Sequence, residues 1–224
     1  MTITMTAWKR PEYTRQVIRA LESCEESDDV QLYAYVEPGN DEVQAILTGS
    51  RLLKDLVVNP SVFGIPRNTR QALARGFSHS DYVVHLEDDT LPAKDFLSYH
   101  KWASQHFRGD NGVFSVTGYH KAVEWPSEEY YHAVGRKPWF TCWGWGTWSD
   151  RWAEIDKYWS NDNPGFAWHV NLGIRLNRVE IFPWLSRVQN IGDLGGVHRD
   201  GHNDDKVDVW AGKVDFEYRR FSER

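Results

Sequence analysis

The stretch Tyr82-Val83-Val84-His85-Leu86-Glu87-Asp88-Asp89-Thr90-Leu91-Pro92 limits the folds open to this chain more than any other. A short, nearly continuous apolar run bounded by a polar turn is the pattern of a strand buried on both faces. The acids stand at its carboxyl end, which in an open α/β sheet is where ligands bind. Three adjacent carboxylates repel one another unless a positive charge neutralises them. Hard carboxylate oxygens suit Mg²⁺ or Mn²⁺, and such ions usually share their coordination sphere with substrate phosphates. A solvated acidic turn is the alternative, and the apolar lead-in favours the metal.

The surrounding pattern agrees with such a sheet. Thr2–Thr6 is strand-like, and Pro11 suits the first turn of a helix whose apolar stripe runs through Tyr13, Val17, Leu21 and Cys24. Leu32–Val36 is a second strand, Val43, Ile46 and Leu47 mark a short helix, and Leu56–Val58 is a third strand. A helix is expected over Asn68–Gly76 with Gly76 as its stop, then the strand Tyr82–Leu86, a helix over Asp95–Phe107 and a strand over Val113–Thr117. Residues 1–118 thus read βαβαβαβαβ, which predicts an α/β fold with a mostly parallel sheet covered by helices on both faces. Residues 119–224 are less regular and rich in aromatics, with helices expected near Asp150–Tyr158 and Ala167–Asn177. One domain spanning residues 1–224 is expected, with a nucleotide-binding half before a substrate-facing half.

Composition narrows the function. A chain of 224 residues with 41% hydrophobic content can bury a core, and a net charge of −6 argues against gripping nucleic acid by charge alone. Cys24 and Cys142 cannot form a disulfide framework and read as buried thiols in a reducing compartment. The sequence shows neither signal-peptide anatomy nor an apolar run of membrane-spanning length, so a cytoplasmic location is expected.

Further groups point to a phosphate-bearing ligand. Phe63-Gly64-Ile65-Pro66-Arg67-Asn68-Thr69 is a glycine-containing loop feeding a helix start, which offers free amides and a positive dipole end. The Arg67 guanidinium suits diphosphate oxygens; an ordinary capped helix with a surface arginine reads the same way. Glu37 follows the second strand, where an acid often recognises a ribose or base edge, or else it is a solvated turn carboxylate. Lys9 and Arg10 make a basic loop after the first strand.

Taken in order, Thr4-Met-Thr-Ala-Trp-Lys-Arg-Pro-Glu-Tyr, Pro66-Arg67-Asn68 and Glu87-Asp88-Asp89 resemble the nucleotide-sugar glycosyltransferases of the GT-A fold. Cys142-Trp-Gly-Trp-Gly-Thr-Trp-Ser-Asp-Arg-Trp and Val188-Gln-Asn-Ile-Gly-Asp-Leu-Gly-Gly-Val-His198 extend the likeness to bacterial and phage family-2-like members and, more distantly, to the N-acetylglucosaminyltransferase I group. The resemblance implies sugar transfer from a nucleoside diphosphate donor, such as a UDP-sugar, to a hydroxyl acceptor, with Mn²⁺ or Mg²⁺ on the diphosphate. It implies that Asp89 is the direct metal ligand, with His198 closing over the metal. Glu87 and Asp88 match positions that hold the ribose, the donor sugar or metal-bound water. Arg67 and Asn68 match a pair near the nucleotide, and Ala7, Lys9 and Arg10 fall on the donor loop. His202, Asp204 and Asp205 follow in a polar segment that is either an ordering flap or loose.

An inverting transferase also needs a carboxylate base for the acceptor hydroxyl. Asp150, Glu154 and Asp162 are the candidates after the tryptophan-glycine segment, while Phe166-Ala167-Trp168, where the relatives' base aligns, has no carboxylate. Inversion and retention therefore both stay open. Trp143 or Trp145 is expected beside the sugar, because indole faces pack on sugar C–H faces, with Trp148 and Trp152 in the core. Polysaccharide, lipid-linked sugar, protein and hydroxymethylated DNA base remain open as acceptors. A nucleotidyltransferase would instead carry a Gly-rich, Arg-containing loop where this chain has Ala7-Trp-Lys-Arg-Pro. A carbohydrate-binding module would leave the alternating pattern and the acids unexplained.

Overall fold

A computed structural model describes residues 1–122, 124–161, 170–171, 177–192, 210–214 and 221–224. Its centre is a mixed, mostly parallel nine-stranded sheet flanked by helices on both faces, in the order β11-β7-β9-β6-β8-β4-β1-β2-β3. The strands are β1 (Thr2–Ala7), β2 (Gln31–Val36), β3 (Leu53–Val58), β4 (Tyr82–Glu87), β6 (Val113–Thr117), β7 (Ala133–Lys137), β8 (Trp145–Trp148), β9 (Val179–Pro183) and β11 (Ser222–Glu223). A second, two-stranded sheet pairs β5 (Thr90–Pro92) with β10 (Val188–Asn190). The helices are α1 (Pro11–Glu22), α2 (Asp41–Thr48), α3 (Ile65–Phe77), α4 (Phe96–His106) and α5 (Ser149–Asp156).

Strands β3, β2, β1 and β4 are parallel neighbours, so their carboxyl ends share one edge. The apolar side chains of β1 and β4 are almost wholly enclosed, as expected for strands covered on both faces. His85 is also fully buried in β4. Its Nδ1 lies 3.0 Å from the Thr4 hydroxyl on the neighbouring strand, and burial holds the imidazole down to about 3, so it stays neutral. It is a satisfied core histidine.

The first half follows the sequence pattern closely. α3 begins at Ile65, three residues ahead of expectation, because Gly64 turns the chain at φ 77° and Pro66 fits the first helical turn. Gly76 does not end α3, which continues to Phe77. Its role is close approach: a Cβ there would lie 2.7 Å from Thr4 Cγ2 and 2.8 Å from Val83 Cγ1. The short strand β5 directly after the acids was not foreseen.

The second half contains more sheet than its irregular pattern suggests. β8 runs antiparallel between β4 and β6 and fills the centre of the sheet. α5 matches the expected helix after residue 149. Most of the expected helix at Ala167–Asn177 lies outside the described residues.

Substituting Gly76→Ala forces a methyl into the α3–β1–β4 contact. A loss of roughly 1–3 kcal/mol is expected, the usual cost of overpacking, measured as a lower urea midpoint at unchanged slope.

Candidate active site at the carboxyl edge of the sheet

The parallel register brings four sequence-distant segments to one edge. Ala7 ends β1 and leads through Trp8, Lys9 and Arg10 into α1, while Glu37 follows β2. The Phe63–Asn68 segment opens α3, and Glu87, Asp88 and Asp89 close β4. The adjacency is direct, since the Glu37 amide donates to the Ala7 carbonyl at 3.0 Å.

At the acids, Arg10 supplies the positive charge that the sequence demands. Its Nη1 lies 2.7 Å from Asp89 Oδ2, and its Nη2 donates to Asp88 Oδ1. The Trp8 amide donates to the other Asp88 oxygen at 3.3 Å. Both aspartates are buried, with Asp88 at 3% and Asp89 at 7% exposure. Among the described residues, buried Asp89 Oδ1 has no hydrogen-bond partner. The backbone after β10 closes over this corner: the Ile191 amide donates to the Asp89 carbonyl at 2.8 Å, and Gly192 packs against the Asp89 carboxylate and Arg10.

These surroundings shift Glu87 and Asp88 upward. Burial pushes the Glu87 carboxyl up to about 8, with Asp89 and Asp88 adding to it and Arg10 opposing it. Burial also raises Asp88, against the pull of Arg10. Among the described residues no group of three or more His, Cys, Asp or Glu is placed to hold a metal ion. A cation held mainly by phosphates needs only one or two carboxylates from the protein. The unpartnered Asp89 oxygen fits that sparser donor set, although Arg10 holds the neighbouring oxygens. His198 lies outside the described residues, as do His202, Asp204 and Asp205.

Glu37 and Asn68 serve a different purpose from the one expected. Glu37 is 4% exposed, and its carboxylate accepts from the amides of Phe63 and Gly64 and from Asn59 Nδ2 at 2.8–3.0 Å. Asn59 also donates to Asn68 Oδ1 at 2.9 Å, and Asn68 donates to the Tyr35 carbonyl at 3.3 Å. Glu37 therefore takes up amides that the sequence reading left for phosphate, and with Asn68 it holds the loop before α3. Asn59 was not singled out from sequence; its only signal is its place just after the third strand. Arg67 is exposed, stacks on the Phe63 ring at 3.5 Å and makes no salt bridge among the described residues. Lys9 is exposed too, with Nζ 4.6 Å from the centre of the Trp8 ring.

Two candidate bases lie at the wrong end. β8 is antiparallel to β4, so the chain leaves it beside Tyr82, at the opposite edge from the acids. Asp150 there is exposed and paired with Arg108 at 3.0 Å. Glu154 pairs with Arg178, just before β9, which begins at the same far edge. Asp162 lies outside the described residues.

Trp145 is likewise corrected. It is 0% exposed in β8, with its ring 4.9 Å from Phe140, so it belongs to the core and presents no face to a sugar. Trp148 and Trp152 are buried as expected. Trp143 is half-buried beyond Gly144 at the acid-bearing edge, edge-on to Tyr119 at 4.4 Å.

No family model matches the chain, and no curated protein matches it in sequence. Solved structures share its fold. S. aureus TarS 1-349 superposes with a TM-score of 0.62 at 10% identity, covering 84% of this chain and 60% of that one. The mannosyltransferase PcManGT from Pyrobaculum calidifontis, solved with GDP-Man and Mn²⁺, gives 0.56 at 18% identity, covering 81% of this chain and 54% of its own. A longer S. aureus TarS structure gives 0.51 at 10% identity, covering 81% of this chain and 35% of that one. The chain therefore has a GT-A-like fold and spans about a third to three fifths of the length of these structures. No described helix is long and apolar enough to cross a membrane.

Two outcomes check the site's electrostatics. An unfolded glutamate ionises near 4.5 and folded Glu87 near 8, so between these values the unfolded chain binds fewer protons. The stability that Glu87 contributes in chelator-treated protein should therefore fall as pH rises from about 4.5 to about 8, against the opposite trend from buried His85 and His100. Glu87→Gln removes that contribution, so the stability difference between wild type and variant, measured at a series of pH values, should shift against wild type from about 4.5 to about 8. Glu37→Ala leaves the Phe63 and Gly64 amides without their acceptor and should cost roughly 1–3 kcal/mol by chemical denaturation.

Proposed function

We propose that this chain is a glycosyltransferase that moves a sugar from a nucleoside diphosphate sugar, with a UDP-sugar as the expected donor, to a hydroxyl acceptor. The observation that carries the reading is the buried, unpartnered Asp89 Oδ1 at the carboxyl end of β4. It lies on the same edge as the exposed cations Lys9 and Arg67 and the start of α3. The GT-A-like fold supports it, and the Mn²⁺ and GDP-Man in the PcManGT structure match the chemistry of an acidic turn beside basic loops.

Asp89 would hold Mn²⁺ or Mg²⁺ through the free oxygen, with Asp88 beside it and diphosphate oxygens completing the sphere. When bound, the ion supplies Lewis-acid neutralisation of the charge that builds on the leaving diphosphate. Lys9 and Arg67 orient the same diphosphate and offset its charge. Phe63, backed by the Arg67 guanidinium, and Trp8 offer flat surfaces for the nucleobase. Glu37, Asn59 and Asn68 keep the loop before α3 in place. Glu87 hydrogen-bonds a sugar or ribose hydroxyl. Residues 1–118 form the donor half of a single domain and residues 119–224 its acceptor half, where half-buried Trp143 meets the sugar face. The acceptor is a glycan, a protein or a hydroxymethylated nucleobase.

In a thermal-shift screen of nucleoside diphosphates and nucleotide sugars with Mn²⁺, one nucleotide should raise the Tm of the wild type, and the shift should vanish in Asp89→Ala. Equal shifts in the two proteins would refute the assignment. Free nucleoside diphosphate among the products identifies glycosyl transfer, whereas pyrophosphate identifies nucleotidyl transfer.

A further inference from the structure

We propose that Arg10 is a resident counter-ion that competes with a divalent cation for Asp88 and Asp89, so that loading the site exchanges a guanidinium for the ion. The proposal rests on the donor-site reading above and adds to it a residue that sets cation affinity.

A single guanidinium spans both carboxylates, with Nη1 2.7 Å from Asp89 Oδ2 and Nη2 bonded to Asp88 Oδ1. In that position it offsets the repulsion between two adjacent buried aspartates. It also takes one oxygen of each carboxylate, and the Trp8 amide takes the second oxygen of Asp88. Among the described residues, Asp89 Oδ1 alone of these four oxygens has no partner. A hard divalent ion entering here meets one free oxygen and a fixed positive charge beside it, which repels it.

The backbone blocks the easy way round. A Cβ at Gly192 would lie 2.1 Å from Asp89 Oδ2 and 3.1 Å from Arg10 Nη1, so the chain already fills that side of the pair. Arg10 itself can withdraw. Its side chain is 19% exposed, against 4% and 10% for Asp88 and Asp89, and it springs from the loop just before α1. Withdrawal frees two oxygens for the cation and leaves a guanidinium at the site's mouth, where a diphosphate can accept it. The arrangement keeps the empty acids neutralised and makes cation binding weak until an anionic donor arrives.

The test uses Mn²⁺ alone, titrated into the full chain without nucleotide and read by the EPR signal of the free ion. Arg10→Gln should bind Mn²⁺ on the order of tenfold more tightly than wild type, because the competing charge is gone. Arg10→Lys keeps a charge but loses the fork, so its affinity should fall between the two. Asp89→Asn should lose the site. Without metal, Arg10→Gln should melt below wild type, and Mn²⁺ should stabilise it by the larger increment. Equal affinity in wild type and Arg10→Gln, with loss in Asp89→Asn, would overturn the counter-ion role and leave the donor site standing. Absence of Mn²⁺ binding in every variant, or undiminished binding in Asp89→Asn, would overturn both. Should Arg10→Gln fail to fold, Arg10→Lys decides: affinity at or below wild type overturns the proposal.

Discussion

The Arg10 contacts with Asp88 and Asp89 are the interaction on which the described site depends. A buried strand that ends in three acids concentrates negative charge where water is scarce, and desolvation and mutual repulsion both oppose it. Arg10 lies 78 and 79 residues away in sequence, yet the β1–β4 pairing puts the loop after β1 beside the turn after β4. Without that neutralisation the tight turn into β5, and with it the Ile191–Gly192 cover, would rest on uncompensated charge.

The same edge explains why the rest of the site is divided between scaffold and exposed cations. Glu37 spends its carboxylate on the Phe63 and Gly64 amides, and Asn59 ties it to Asn68. A buried polar network of this kind holds a loop in one conformation when its members are satisfied. Lys9 and Arg67 are exposed, over the Trp8 and Phe63 rings. The proposed donor site would use that division, with the braced loop below and the exposed cations above.

Much of this was legible along the chain. The β4 run, the Pro11 helix start and the glycine loop before α3 each carry a local physical signature, and each appears within a few residues of expectation. The acids, the basic loop and the Arg67 segment converge on one edge because parallel strands joined by helices must end on the same side. The errors came from residues whose role depends on strand direction or on partners far away. Asp150 looked close to the tryptophan-glycine segment in sequence, but antiparallel β8 carries the chain to the far edge before Asp150 is reached. Trp145 looked like a sugar platform because an indole face can pack on a sugar, and glycines stand on either side of it. Those glycines instead serve packing: a Cβ at Gly146 would lie 2.5 Å from the Tyr82 hydroxyl, and one at Gly144 would lie 2.7 Å from Val188 Cγ1.

By itself, then, the sequence determined that the first half alternates strand and helix, that the strand before the acids is buried, and that cations and carboxylates gather at one edge. Hydrophobic periodicity and turn residues act over a few residues, so they can be read in order. Only the tertiary structure decided which cation meets Asp88 and Asp89, that Glu37 and Asn68 brace a loop, and that β8 enters the sheet antiparallel. Those outcomes follow from register and strand direction, which arise from pairings between residues far apart in the chain and leave no local trace.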